Sequence, residues 1–205
     1  MTNDELLRVI KSAKANRATE LDLCNKGLTV LPPEIGQLSN LGALDLSGNQ
    51  LTALPPEIGQ LTMLAELYLN FNQLISLAWL HLSGNQLTTL PPKICQLTKL
   101  DKLYLGGNKF TTLPPALFQL TSLTGFHLGG NQLTTLPPEI CQLAKLEQLD
   151  LRNNQLTALP LELFQLTSLM VLGLDINPLT SPPYEIAIKG IYAVRQYFTA
   201  LHTRR

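Results

Sequence analysis

The chain has 205 residues with fifteen basic and fifteen acidic side chains, a formal net charge of zero. That balance excludes the basic stripe a nucleic-acid binder needs and a polybasic membrane anchor. Prolines and polar residues interrupt every apolar run well short of the roughly 20 residues of a membrane span.

The start, Met1-Thr2-Asn3-Asp4-Glu5, has no basic segment followed by an apolar block, so no signal peptide is expected. Residues 3–16 predict a helix with Asn3 as N-cap and Asp4 and Glu5 in the first turn. Leu6, Leu7, Val9 and Ile10 supply its apolar side, and residues 1–19 are expected to form an N-terminal cap. Cys24, Cys95 and Cys141 are odd in number and lack any CxxC spacing. They predict small, mostly buried filler in a reducing compartment, and hence a cytoplasmic protein, with no disulfide or zinc role.

From residue 20 to 180 the sequence repeats itself as L-x-x-L-x-L-x-x-N-x-L. The apolar-x-Leu pairs begin at Leu21, Leu44, Leu67, Leu80, Leu103, Phe126, Leu149 and Leu172, spaced by 23, 23, 13, 23, 23, 23 and 23 residues. A fixed period of this length means stacked coils, each supplying a short parallel strand and a return segment. Period-two alternation turns Leu44 and Leu46 inward and Ala43, Asp45 and Ser47 outward. The recurring Asn49, Asn72, Asn85, Asn108, Asn131, Asn154 and Asn177 sit where the chain leaves the strand. A carboxamide there both donates and accepts, satisfying backbone groups that no ladder reaches. The Leu54-Pro55-Pro56-Glu57-Ile58 segment and its siblings lose two backbone donors, which favours an extended or single-turn convex strip over a long helix.

One repeat is short: ten residues join the strands at Leu67-Tyr68-Leu69 and Leu80-His81-Leu82, close to the roughly 10–12 of a minimal parallel crossover. The expectation is that both strands stay in one sheet and the convex side is pinched; the alternative is that one strand is lost or the solenoid breaks. Residues 181–205 are expected to close the other end. Tyr184 to Leu201 reads as one amphipathic helix, with Ala187, Ile191, Val194, Phe198 and Leu201 at 3–4 residue spacing and Arg204-Arg205 at its C-terminus.

Leu54 to Thr62 and its siblings resemble bacterial, cyanobacterial-type leucine-rich repeat proteins. The resemblance implies an α/β leucine-rich repeat solenoid: a right-handed horseshoe with about eight parallel concave strands and an irregular, Pro-rich convex side. The passage from Asn177 through Gly190, Ala193-Val194 and Tyr197-Phe198 is similar to the join between repeats and GTPase domain in Roco-type proteins. It implies the alternative of a regulatory repeat fragment whose C-terminal helix docks on a catalytic domain. The phosphate-binding loop G-x-x-x-x-G-K-[ST] of those proteins is absent from this chain.

The repeat also sorts the outward residues into columns. The middle one reads Asp22, Asp45, Tyr68, His81, Tyr104, His127, Asp150, Gly173, and its neighbour carries Glu20, Glu66, the single Trp79 and Lys102. Aromatics gathered at the centre of an exposed face are what protein-binding hot spots are made of. Tyr68, Trp79, His81, Tyr104 and His127, with Asp22, Asp45, Asp150 and Arg152 around them, are therefore expected to bind a protein or peptide. Gly106, Gly125 and Gly129 are expected to leave room for inserted side chains. Cross-strand stacking that merely stabilises the sheet is the competing reading. No cofactor is expected: His81 and His127 lie two strands apart, about 10 Å, too far for one zinc. No catalysis is expected either. Ser83 lacks an oriented base, and the Asp22–Asp45 pair lies on an open surface.

Overall fold

A computed structural model describes residues 1–69, 71–74, 77–90 and 92–202. Helix α1, Asn3–Ala15, starts the chain and buries Leu6, Ile10 and Ala13. Its N-cap is Thr2, not Asn3. The Thr2 hydroxyl accepts from the Glu5 N–H at 3.2 Å, and the Glu5 carboxylate accepts from the Thr2 N–H at 2.7 Å. This reciprocal box satisfies two donors that a helix start leaves unpaired. Of the four apolar residues expected inside, Leu6 and Ile10 are buried and Val9 is exposed.

Eight three-residue strands follow: β1 Glu20–Asp22, β2 Ala43–Asp45, β3 Glu66–Tyr68, β4 Trp79–His81, β5 Lys102–Tyr104, β6 Gly125–His127, β7 Gln148–Asp150 and β8 Val171–Gly173. After most of them the chain returns through a five-residue 3-10 turn, such as Pro56–Gln60 or Pro115–Gln119. In the turns that begin at Pro33, Pro56, Pro115 and Pro138 a proline in extended conformation precedes the turn, and the second proline at its first position costs no hydrogen bond there. Leu44, Leu46, Ile58, Leu61 and their counterparts fill the interior between strand and return strip with almost no exposure. Each such side chain contributes roughly 2 kcal/mol when fully buried.

The asparagines lock one coil to the next. Asn108 donates through Nδ2 to Leu105 O in its own coil at 2.9 Å and to Leu82 O in the preceding coil at 2.8 Å, while its Oδ1 accepts from Leu87 N at 3.0 Å. Asn49, Asn131, Asn154 and Asn177 repeat this pattern.

The single sheet expected from the repeat is two sheets. Strands β1-β2-β3 form one and β4-β5-β6-β7-β8 the other, all parallel within each sheet. The winding itself does not stop at the short repeat. Gln86 N donates to Leu64 O at 2.9 Å, the same 22-residue step as Gln50 N to Leu28 O and Lys109 N to Leu87 O. What changes is the phase. A turn takes about 23 residues, but the next strand begins after 13, so β4 arrives where the turn below carries its 3-10 segment. His81 accordingly stacks on Gly59 of Pro56–Gln60 rather than on β3. The pinched-sheet expectation fails because stacking follows distance along the chain, and the shortened repeat shifts the strand within the turn.

At the far end the expected single helix is two, α2 Tyr184–Ala187 and α3 Ile191–His202, parted at Gly190 with φ +83°. Ala187, Ile191, Val194 and Phe198 are buried as expected, whereas Leu201 is exposed. The Arg195 guanidinium donates to Leu166 O and Leu169 O, carbonyls of the last turn that no further coil covers. Arg204 and Arg205 lie outside the described residues.

Candidate functional site: two faces on one solenoid

The outward columns fall in the expected register inside each sheet. Asp22 pairs with Asp45 and Asp45 with Tyr68; separately, His81 pairs with Tyr104, Tyr104 with His127 and His127 with Asp150. The slip separates these two series. The predicted patch is therefore divided: Tyr68, Asp22 and Asp45 lie on the β1–β3 face, and Trp79, His81, Tyr104, His127, Asp150 and Arg152 on the β4–β8 face.

The β1–β3 face is an acidic groove of about 500 Å³ lined by Glu20, Asp22, Asp45, Glu66 and Tyr68 together with Ala43 and Ala65. The Tyr68 hydroxyl donates to Glu66 Oε2 at 2.8 Å, and this bond, with the carboxylate charge, raises the phenol above its ordinary value. Asp22 and Asp45 each accept a backbone N–H two residues ahead at 2.7 Å. Ligand atoms of Asp22, Cys24 and Asp45 lie within 4.8 Å of one another, the one such trio among the described residues. It mixes hard oxygen donors with a soft sulfur and opens to water.

On the other face three rings form a column. His81 stacks on Tyr104 with centroids 5.0 Å apart, and Tyr104 on His127 at 4.5 Å with planes 6° apart. The Tyr104 ring thus stands between the two imidazoles, which share no metal position. Asp150 follows, gripped by Arg152 through Nε to Oδ1 at 2.9 Å and Nη2 to Oδ2 at 2.7 Å. The guanidinium holds the Asp150 carboxyl below its usual range, and burial pushes the His127 imidazole down against the opposing pull of Asp150.

The glycines do not leave free space. A Cβ on Gly129 would come within 3.2 Å of the Asp150 carboxylate, one on Gly173 within 3.0 Å of it, and Gly125 is buried under the Lys102 stem and His127. The chain's own side chains fill the room expected for a partner's. Open space lies instead where β4 crosses the 3-10 segment below. A groove of about 250 Å³ runs between Trp79, Leu80, His81 and Tyr104 on one side and Leu54, Pro55, Pro56 and Ile58 on the other. Trp79 keeps 66% of its surface exposed beside it. The proline wall escaped the sequence reading, and the 13-residue spacing was the signal that would have placed it there.

Short parallel strands, a proline-led return strip and an asparagine ladder define a leucine-rich repeat solenoid. The leucine-rich repeat model matches residues 16–74, 75–133, 98–156 and 121–179, and the chain belongs to that family. It is similar to a leucine-rich repeat protein of Leptospira interrogans, 41% identical with a TM-score of 0.53, over 86% of this chain and 54% of that one. It thus spans about half the length of that structure. It is also similar to the plant peptide hormone receptor RGFR1, solved with RGF2, at 32% identity and TM-score 0.47 over 73% of this chain and 27% of that one. No curated protein sequence matches it. Among the described residues no helix is long and apolar enough to cross a membrane.

Proposed function

We propose that the chain is a non-catalytic interaction module that grips a protein or peptide on the β4–β6 face through Trp79, His81, Tyr104 and His127, with Asp150 and Arg152 as a polar rim. The exposed Trp79 at the head of the ring column, beside an apolar groove, carries this reading. Large aromatic surface next to a concavity is where binding energy concentrates. Tyr68, Asp22 and Asp45 serve a second, acidic face suited to a basic region of a partner. Three free cysteines support a reducing, cytoplasmic setting.

Affinity capture from host lysate tests the reading, with wild type compared to Trp79→Ala/Tyr104→Ala and, separately, to Tyr68→Ala. All three forms are first matched for circular dichroism. A partner lost only by the double variant supports the β4–β6 face. Equal capture by all three reduces the ring column to sheet packing.

A second reading, the regulatory fragment of a Roco-like GTPase, would use the exposed Tyr184, Ile188 and Tyr192 of the C-terminal segment as its docking surface. A phosphate-binding loop encoded downstream of Arg205 would favour it.

A further inference from the structure

Among the described residues every step of the solenoid but one is stapled by asparagine. The carbonyls of Leu46, Leu82, Leu105, Leu128 and Leu151 each accept two carboxamide N–H groups, one from their own coil and one from the next. Among the described residues Leu69 O accepts from Asn72 alone. Asn85, the first asparagine after the slip, donates among the described residues only within its own coil, to Leu82 O and Ser83 O. Its Oδ1 has no partner although the residue is 1% exposed. Strand pairing is missing at the same step, since β3 and β4 belong to different sheets. Among the described residues the step is bridged by the Gln86–Leu64 bond, the apposition of Gly59 and His81, and side chains along the groove.

In a solenoid, cooperativity is the sum of nearest-neighbour interfaces. An interface that lacks both ladder and staple, and holds an unpaired buried acceptor, is the weakest of the series. We propose that the slip between β3 and β4 is a joint. Residues 3–68 and 79–202 are two cooperative units, and they open against each other at the Gly59–His81 contact before either unfolds. Opening draws Trp79 away from Pro55, Pro56 and Ile58, so the groove widens and narrows with the joint.

Trp79 is the only tryptophan and stands at the joint, so its fluorescence reports opening directly. The test is a urea titration of the full chain followed by Trp79 fluorescence and, in parallel, by hydrogen exchange with mass spectrometry of peptides from residues 20–69 and 100–180. The fluorescence change is expected at lower urea than the loss of protection in either block, and the two blocks are expected to lose protection at different urea concentrations. Coincidence of all three transitions overturns the joint. Gly59→Ala sharpens the test, because its Cβ would stand 2.9 Å from His81 O. It is expected to speed exchange around the joint about tenfold and to leave the protection of both blocks unmoved. An equal loss in both blocks, or a variant that does not fold, shows one cooperative unit and overturns the proposal.

Discussion

Gly59 lies under His81, 22 residues further along the chain, with the space where its Cβ would sit reaching to 2.9 Å from the His81 carbonyl oxygen and 3.0 Å from Nδ1. In later coils the same repeat position carries Cys95, Phe118, Cys141 and Phe164. At Cys95, Phe118 and Cys141 a 3-10 segment stacks on the next and a side chain is accommodated, whereas at Gly36 the next 3-10 segment brings Glu57 O within 2.6 Å of where a Cβ would sit. At Gly59 a strand stacks on a 3-10 segment instead, and its backbone comes too close for a side chain. One shortened repeat thus moves the aromatic face to another side of the solenoid, and a glycine accommodates the move.

The two asparagines on either side of the first complete staple after the slip should differ sharply in cost. Asn108→Ala breaks bonds in two coils and leaves the buried Leu87 N–H without its acceptor, at about 2–4 kcal/mol. Asn85→Ala loses bonds within one coil and removes an unpaired acceptor, and should cost about 1 kcal/mol or less. Urea midpoints of the 100–180 block, read by hydrogen exchange, compare the two, and equal losses would mean that Asn85 has a partner in solution.

Acid should weaken the β4–β8 unit through His127. Burial holds its imidazole below the ordinary value of 6.5, against Asp150 and together with Lys102, Arg152 and His81. As pH falls through about 6.5 the unfolded chain takes up the proton first. The stabilisation is therefore complete above that value and is lost as pH drops toward the lower folded value. Asp150 adds a second decline at more acid pH, which begins as the unfolded carboxyl protonates near its ordinary 3.8 and ends once the carboxylate held by Arg152 protonates too. NMR titration of the histidine ring protons, with urea midpoints at pH 7.5 and 5.5, reads the first decline. His127→Gln should flatten it.

Thr2→Ala should cost about 1 kcal/mol, a typical loss for an N-cap hydroxyl. Its effect should be confined to α1 and the first coils, seen as faster exchange over residues 3–28 with residues 100–180 unchanged. A uniform loss would contradict the coil-by-coil coupling.

Arg195→Met keeps the apolar stem but leaves Leu166 O and Leu169 O without their charged donor. About 1.5–3 kcal/mol should be lost from the last coil, with exchange accelerated near residues 160–175. Thermal melts of the variant at high and low salt separate the hydrogen bonds from long-range charge, and a midpoint unmoved by the substitution would leave α3 held by Phe198 and its apolar neighbours alone.

Several local features were legible in the residues. Thr2 followed by Glu5 is a capping-box pattern, although Asn3 competes with it as a cap by residue type. Gly190 inside the Tyr184–Leu201 stretch marked the helix break, and hydrophobic spacing hid it because Ala187 and Ile191 stay buried across the turn. The pairing of Asp150 with Arg152 followed from period two, which puts both on one face. The stacking of Tyr104 between His81 and His127 followed from the 23-residue period. Trp79 and the prolines Pro55 and Pro56 were legible as residues but not as neighbours.

The sequence by itself determined the coil: a 23-residue period with leucines inward admits one way of stacking, and each strand's register is set by its neighbour in the same phase. It also determined which side chains face outward, because alternation along a strand leaves no choice. The tertiary structure alone decided which outward residues meet. A 13-residue repeat can keep its strand in the sheet by pinching the return path, or keep the winding and let the strand slip to another side. Local propensity is the same in both cases. The slip follows from non-local contacts, the backbone of His81 settling on Gly59 and Gln86 bonding to Leu64, and that choice split one expected patch into an acidic face and an aromatic one.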